Sequence, residues 1–326
     1  MNFIKKLSAH IGLKQASDDQ ALTAHDFEFM RYITEYGKMY ATKAEFEFRS
    51  AIFKENLKMI EEHNAKGTET HSLGINHMID WTEEEYRKLL GYKPEIRLGA
   101  KESKVEILDT SNLADDINWV TQGAVTPVKN QEQCGSCWAF SATGSIEGAE
   151  FLHGTKKLVS LSEQNLVDCS TKNSACKGGL MDYAFEYVEE HPLMTEAEYP
   201  YTGHHSFFSK CKYDESKGVG HVKGYKDVQR QSVDQMKAAL AIGPVSVAIE
   251  ADKSVFQLYR KGVITSSSCG KKLDHGVLAV GYGTEDGKDY WLVKNSWGAS
   301  WGEDGYVKIG QNDICGILDQ PSYPTE

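Results

Sequence analysis

Apolar positions change their period along the chain. From Asp26 to Tyr36, Phe29, Tyr32, Ile33 and Tyr36 recur at i, i+3, i+4 and i+7, which predicts an amphipathic helix. Ala44 to Asn64 runs without Gly or Pro and carries Phe46, Phe53, Leu57 and Ile60 as an apolar stripe, so a second helix is expected. Ser72 to Asp80 then alternates, with Leu73, Ile75, His77 and Ile79 on one side, the period of a strand. Thr82 and Glu85 make a capping box for a short helix through Leu90. From Gly91 to Ser111 the pattern dissolves into Gly, Pro and mixed charge, the texture of an exposed connector.

Beyond Asn118 helical segments come first, over Cys137 to Leu152, Ser162 to Cys169 and Met181 to Glu190. Strand-like, Gly-punctuated segments follow, over Pro244 to Ala251, Gly276 to Gly283, Tyr290 to Trp297 and Gly305 to Gly310. Helices followed by strands predict two packed halves of an α+β domain with a cleft between them.

Composition narrows the class. With 326 residues, 40% hydrophobic and 25% charged, the chain can bury a sizeable core and suits about two units. The 36 basic and 47 acidic residues give a charge of -11, which argues against a nucleic-acid or anionic-membrane partner. Both parts are acidic: residues 1–109 carry 16 basic and 19 acidic residues, the remainder 20 and 28. No stretch reaches the roughly 18 apolar residues of a transmembrane helix, so a soluble chain is expected. Lys5 and Lys6 could open a signal peptide, but Leu7 to Leu13 is too short and polar to continue one, and no Asn-x-Ser/Thr sequon occurs.

The seven cysteines all lie from Cys134 onward. Six allow three disulfides in fifteen connectivities, and one is left over. Cys137 follows Gly135 and Ser136 and opens a helical pattern, where the positive end of the macrodipole and unpaired N–H groups favour a thiolate. Three other readings compete: a structural half-cystine, a redox Cys134-x-x-Cys137 pair, and a zinc site. The last is disfavoured because Cys169 and Cys176 lack the short ligand spacing. A thiolate nucleophile needs an imidazole, and the imidazole needs an orienting group. His275 starts the apolar run Gly276 to Gly283, and Asn295 with Trp297 ends the run from Tyr290. Alone each is an ordinary residue; with Cys137 they form a Cys/His/Asn set.

These residues resemble the papain family of cysteine proteases, most closely its cathepsin L-like branch, from about residue 25 to the C-terminus. The front segment is similar too. Glu45, Arg49, Phe53, Asn56, Ile60 and Asn64 fit the family's propeptide helix motif, and Gly74, Asn76 and Asp80 fit its second motif, with Met78 departing from it. The resemblance implies a papain-like α+β fold with a helical left half and a β-barrel-like right half. It divides the chain into a tail at residues 1–24, a mainly helical inhibitory propeptide at 25–110 and a peptidase at 111–326. It implies disulfides Cys134–Cys176, Cys169–Cys211 and Cys269–Cys315, which removes the redox reading.

By the same resemblance Cys137 is the nucleophile, His275 its proton carrier, Asn295 the orienting residue and Gln131 an oxyanion donor, with Trp297 covering the His275–Asn295 bond. Leu180, Met181, Ala248, Leu273, Gly276 and Gln320 would line the pocket for the second residue before the scissile bond, and Gly178 and Gly179 would pair with an extended peptide. Aliphatic walls predict Leu, Val or Phe in that pocket. The stretch from Asp80 to Gly99 would cross the cleft in reverse. Glu132 and Lys177 depart from the family by placing charge beside the cleft, and His204-His205 reads as an exposed, idle pair. The expected protein is therefore a zymogen of an endopeptidase, activated in acid, monomeric, needing no metal or cofactor, acting on proteins and peptides, in a lysosome or other acidic vesicle or secreted. A catalytically dead homologue serving as a binding or storage protein would have lost one of Cys137, His275 and Asn295, and all three are present.

Overall fold

The structure, a computed structural model, describes residues 21–97, 105–206 and 209–326. They fall into two compact units, one ending at Lys54 and one beginning at Glu55.

In the first unit, helix α1 (Ala24–Glu35) starts at Thr23 in a reciprocal capping box with Asp26. Asp26 also pairs with Lys54, near the middle of α2 (Lys43–Lys66). Lys54 and the Thr23 hydroxyl and N–H together hold the Asp26 carboxyl well below the usual range. The i, i+3 pair Phe29 and Tyr32 is buried, and both rings lie about 5 Å from Phe53, at 5.2 and 5.0 Å.

In the second unit, nine strands among the described residues form one sheet. They are β1 (His71–Leu73), β2 (Ile117–Asn118), β3 (Gly224–Asp227), β4 (Val245–Ile249), β5 (Tyr259–Ile264), β6 (His275–Glu285), β7 (Lys288–Lys294), β8 (Tyr306–Gly310) and β9 (Ser322–Thr325). The order is β1-β5-β8-β7-β6-β4-β9-β3, with β2 added on β6; β5 and β8 are parallel and the other pairs antiparallel. The path is open at β1 and β3, so the barrel-like half expected from the sequence is not a closed barrel.

Helices α3 (Glu83–Arg87), α4 (Cys137–Leu152), α5 (Glu163–Cys169), α6 (Met181–Val188), α7 (Val233–Ile242) and α8 (Ser254–Gln257) complete the unit. Residues Cys137 to Glu150 of α4 are buried all round, as expected of a helix running through a core. Its buried Glu147 accepts hydrogen bonds from Thr126 at 2.6 Å, Lys129 at 3.1 Å and the Leu161 N–H at 2.9 Å. Lys129 also reaches Glu163 at 2.7 Å, and Thr143 reaches the same carboxylate at 2.6 Å. Buried charges persist only when paired in this way.

Among the described residues two large apolar cores result, with a small third cluster at Cys169, Met194 and Tyr199. The sheet core gathers Trp291, Trp297, Trp301 and Phe256, and the helical core gathers Trp138, Leu166, Met181 and Phe185. Met78, Tyr86, Leu89 and Leu90 belong to the first, and Tyr92 to the second.

The front half departs from the expected strand at Ser72 to Asp80. Pairing covers only His71 to Leu73, because the Asn76 side chain accepts from the Met78 N–H at 2.9 Å and closes a turn. That local bond defeats the alternation. The Thr82 helix has its capping box but ends at Arg87, not Leu90. Gly91 and Tyr92 are buried, so the connector expected to be exposed begins inside the protein.

Candidate active site

Cys137 is the first residue of α4, is fully buried and is the one free cysteine among the described residues. The Gly276 N–H donates to its sulfur at 3.3 Å, and the N–H groups of Gly91 and Trp138 also face it. Burial nevertheless outweighs these donors and pushes the thiol up to about 11.

His275 opens β6 and Asn295 follows β7, and the register Leu278 opposite Lys294 brings the two strand ends together. The imidazole Nε2 lies 2.8 Å from Asn295 Oδ1, which also accepts from the Ser296 N–H at 2.8 Å. The Trp297 ring stacks on the imidazole with centroids 4.7 Å apart. Nδ1 has no hydrogen-bond partner among the described residues. Burial holds the imidazole down at about 4 against the pull of Asn295. Burial thus disfavours the charged form of both groups, the thiolate and the imidazolium alike.

Gln131 is fully buried, and its Oε1 accepts from Ser296 Oγ at 2.7 Å and Trp297 Nε1 at 3.2 Å. This fixes the amide so that Nε2 donates to the Cys134 carbonyl at 2.8 Å and the Leu89 carbonyl at 2.9 Å. Leu89 comes from the front segment. Two residues on, Gly91 O accepts from the Gly179 N–H at 2.8 Å, and the Lys93 N–H donates to Gly179 O at 3.2 Å, making a parallel bridge centred on Tyr92. The Tyr92 N–H donates to Asp274 O at 2.9 Å. A strand of the front segment thus lies over the thiol.

Its closest approach explains a glycine. A Cβ on Gly91 would fall 1.9 Å from the Gly135 carbonyl oxygen, a distance no side chain tolerates. Opposite it, Gly178 has φ +120°, a backbone state that L side chains rarely adopt.

Leu180, Met181 and Ala248 are buried in one cluster with Tyr92, and Leu273 packs on its edge. Gly276 faces this group too, since a Cβ there would meet the Met181 sulfur at 3.1 Å. Gln320 is half-buried and its Oε1 accepts from Arg230 at 3.2 Å. Trp297 belongs to the sheet core, away from this cluster.

The disulfides join Cys134 to Cys176, Cys169 to Cys211 and Cys269 to Cys315. The first lies beside the thiol, where the Gly135 N–H donates to Cys176 O at 3.0 Å. Glu132 stands at φ +53°, in the left-handed region that favours glycine. The His204-His205 pair is exposed, with His205 Nδ1 2.8 Å from Asp168 Oδ1 and His204 Nδ1 2.8 Å from Thr202 O. Of the Asp80 to Gly99 stretch, Leu98 and Gly99 lie outside the described residues, as do residues 1–20 of the tail. Leu89, Gly91 and Tyr92 fall within the Asp80 to Gly99 stretch expected to cross the cleft, but sequence reasoning singled out none of them; the signal was one glycine between apolar residues at the head of a polar connector.

Comparison with known proteins now places the chain. The description "Papain family cysteine protease" matches residues 113–325, and "Cathepsin propeptide inhibitor domain (I29)" matches residues 29–86. Digestive cysteine proteinase 3 of Homarus americanus is 45% identical over 302 residues, 90% of this chain and 92% of that protein. Cathepsin L of Sarcophaga peregrina is 44% identical over 316 residues, 91% and 92% of the two chains. The structure of digestive procathepsin L 3 from the Tenebrio molitor larval midgut superposes with a TM-score of 0.85 at 37% identity, covering 94% of this chain and all of that one. The chain belongs to the papain family of cysteine proteases. It is a cathepsin L-like member in its proform, with the inhibitory propeptide in place.

Proposed function

We propose that this zymogen yields an endopeptidase acting through Cys137 and an acyl-enzyme. His275 takes the thiol proton as sulfur attacks the scissile carbonyl, then passes it to the leaving amine as the C–N bond breaks. Water, giving a proton back to His275, then hydrolyses the thioester. Asn295 orients the ring and Trp297 shields that hydrogen bond. Gln131 Nε2 and the Cys137 N–H stabilise the oxyanion.

The observation that carries this reading is the Leu89 carbonyl on Gln131 Nε2, with Gly91 on the Cys137 sulfur. A peptide already occupies the seat, with its carbonyl on the proposed donor. It runs backwards: the residue in the apolar pocket, Tyr92, follows the carbonyl residue, whereas in a substrate it would precede it. The same pocket of Leu180, Met181, Ala248, Leu273 and Gly276 favours a bulky apolar residue second before the scissile bond, with Gln320 at its floor and Gly178 and Gly179 pairing with the substrate strand. Removal of residues 89–93 returns water to Cys137 and His275, which allows the thiolate–imidazolium pair that burial suppresses.

Acid triggers this release, and cleavage falls between about Asp109 and Asp115, where most residues are exposed. The propeptide is residues 25–110 and the peptidase 111–326, a monomer. Three disulfides suit an acidic vesicle or the exterior. Incubation with a thiol-directed epoxide peptide at about pH 4.5 tests the assignment by mass. The expected adduct is on Cys137 after loss of about the first 110 residues; an adduct on another cysteine, or none, refutes it. A peptide library preferring Arg over Leu at the second position would overturn the pocket.

A further inference from the structure

Strand β1 adds the propeptide to the sheet edge, with His71 opposite Gly262 and Ser72 opposite Lys261. Thr70 Oγ1 donates to Val263 O at 2.5 Å, and the Gly74 N–H to Leu258 O at 2.9 Å. The His71 side chain at this seam is fully buried, and neither ring nitrogen has a hydrogen-bond partner among the described residues. A neutral imidazole always carries one N–H, so a donor is buried unpaired, which proteins rarely tolerate without a use. The His63 ring of α2 lies 4.8 Å away, and its Nε2 is 3.2 Å from His71 O. Tyr259 of β5 faces His71 at 6.5 Å.

A cavity of about 430 Å³ opens beside the pair. Glu69 contributes a carboxylate 4.0 Å from His71 Nδ1. Lys261 of β5, Glu285 and Asp286 of the β6–β7 hairpin, Glu303 before β8 and Lys308 within β8 line the remainder. Lys308 holds Glu285 at 2.5 Å and Glu303 at 2.9 Å, and Glu303 also receives the Tyr259 hydroxyl and the Gly262 N–H. Two of the carboxylates are thus committed to other partners, and Glu69 is the one in ion-pair reach of the ring.

We propose that His71, packed against His63 at the β1–β5 seam, is the acid sensor that loosens the propeptide from the sheet. The proposal rests on the reading of the chain as a zymogen opened by acid.

Burial, and then the charge of His63, hold the His71 imidazole down at about 4 against the upward pull of Glu69. Released into water it titrates at about 6.5. The docked propeptide therefore binds fewer protons than the released one. Docking is strongest above about pH 6.5 and weakens as the pH falls towards 4. With these two values, the released-to-docked ratio rises about 20-fold between neutrality and pH 5 from His71 alone.

The test uses the full-length zymogen at concentrations low enough for conversion to be unimolecular, across about pH 4 to 7.5. Wild type is expected to convert steeply faster below about pH 6.5, and His71→Gln to lose about 20-fold of that rise at pH 5. A His71→Gln profile matching wild type overturns the sensor. Wild-type conversion that is equally fast at all pH values instead overturns acid release itself, a different outcome. Should the variant fold poorly, NMR titration of His71 in the intact Cys137→Ala zymogen decides. A midpoint near 4 is expected, and one at about 6 or above overturns the proposal.

Discussion

The propeptide meets the catalytic domain in two places that use different chemistry. Over the thiol, from Leu89 to Lys93, its bonds are main-chain: carbonyls and N–H groups on Gln131, Gly179 and Asp274. None of these titrates, and any sequence slim enough at Gly91 could make them. At the seam, from His71 to Asp80, side chains add their own contacts to the main-chain pairing of β1 with β5. Asn76 Nδ2 donates to Gln257 O at 2.8 Å, Gln257 Nε2 returns a bond to Met78 O at 3.0 Å, and His71 sits buried against the sheet edge. On the proposed reading, inhibition is indifferent to protons where it covers the thiol and open to them where it is anchored. The first unit lies at the other extreme. Asp26 has its carboxyl depressed, so its contribution is present above the free value near 4 and is lost only in stronger acid. The helical hairpin keeps its cap and ion pair in the window where His71 charges.

Substitutions can break this contrast, beginning with the largest effect. Gly91→Ala puts a Cβ into the Gly135 carbonyl and should unseat the cleft strand at every pH. Epoxide labelling of Cys137 in the intact zymogen at neutral pH should accelerate about 100-fold, equivalent to roughly 3 kcal/mol of lost docking; unchanged labelling would mean the strand is not the block. Asn76→Ala strands the buried Met78 N–H and removes one of two donors to Gln257 O, which keeps Trp301 Nε1 at 3.0 Å, and should cost about 1 to 2 kcal/mol in thermal or denaturant unfolding of the zymogen. A loss under about 0.5 kcal/mol would show the turn to be held by something else. Tyr86→Phe removes a buried hydroxyl that donates to Ala251 O while keeping the ring against Trp297, for about 1 kcal/mol. Its effect should be equal at about pH 5 and pH 7.5, unlike that of His71→Gln.

Much of this was legible beforehand where one principle dominates. The helix at Cys137 to Leu152 was read with its observed bounds, because small and apolar residues fill it and Gly135-Ser136 stop it. His275 and Asn295 were readable as a pair because each marks the end of a strongly apolar strand. What stayed hidden depends on partners far along the chain. Helix α7 and strand β5 have short apolar patterns that gave no signal; β5 is fixed by β1 and β8, and Gly262 within it has φ +89°. Ser72 to Asp80 misled, since one Asn side chain outweighs nine alternating positions. Tyr92 looked like a connector residue and is 4% exposed, because its pocket is built from residues at 180, 181 and 248. His71 carried no sign at all: burial of an imidazole is a property of the seam, not of its neighbours in sequence.

The propeptide remains joined to the peptidase through the exposed stretch near Ser111 and Asn112, just before β2 enters the sheet at Ile117. While that connection is whole, docking is an encounter of two parts of one molecule, at an effective concentration on the order of millimolar. A cut there removes none of the contacts at the seam or in the cleft. It changes only the concentration at which the freed piece must find its way back, from that fixed local value to whatever the surrounding fluid supplies. Dilution then does what no change in the interface would: it makes a reversible opening permanent.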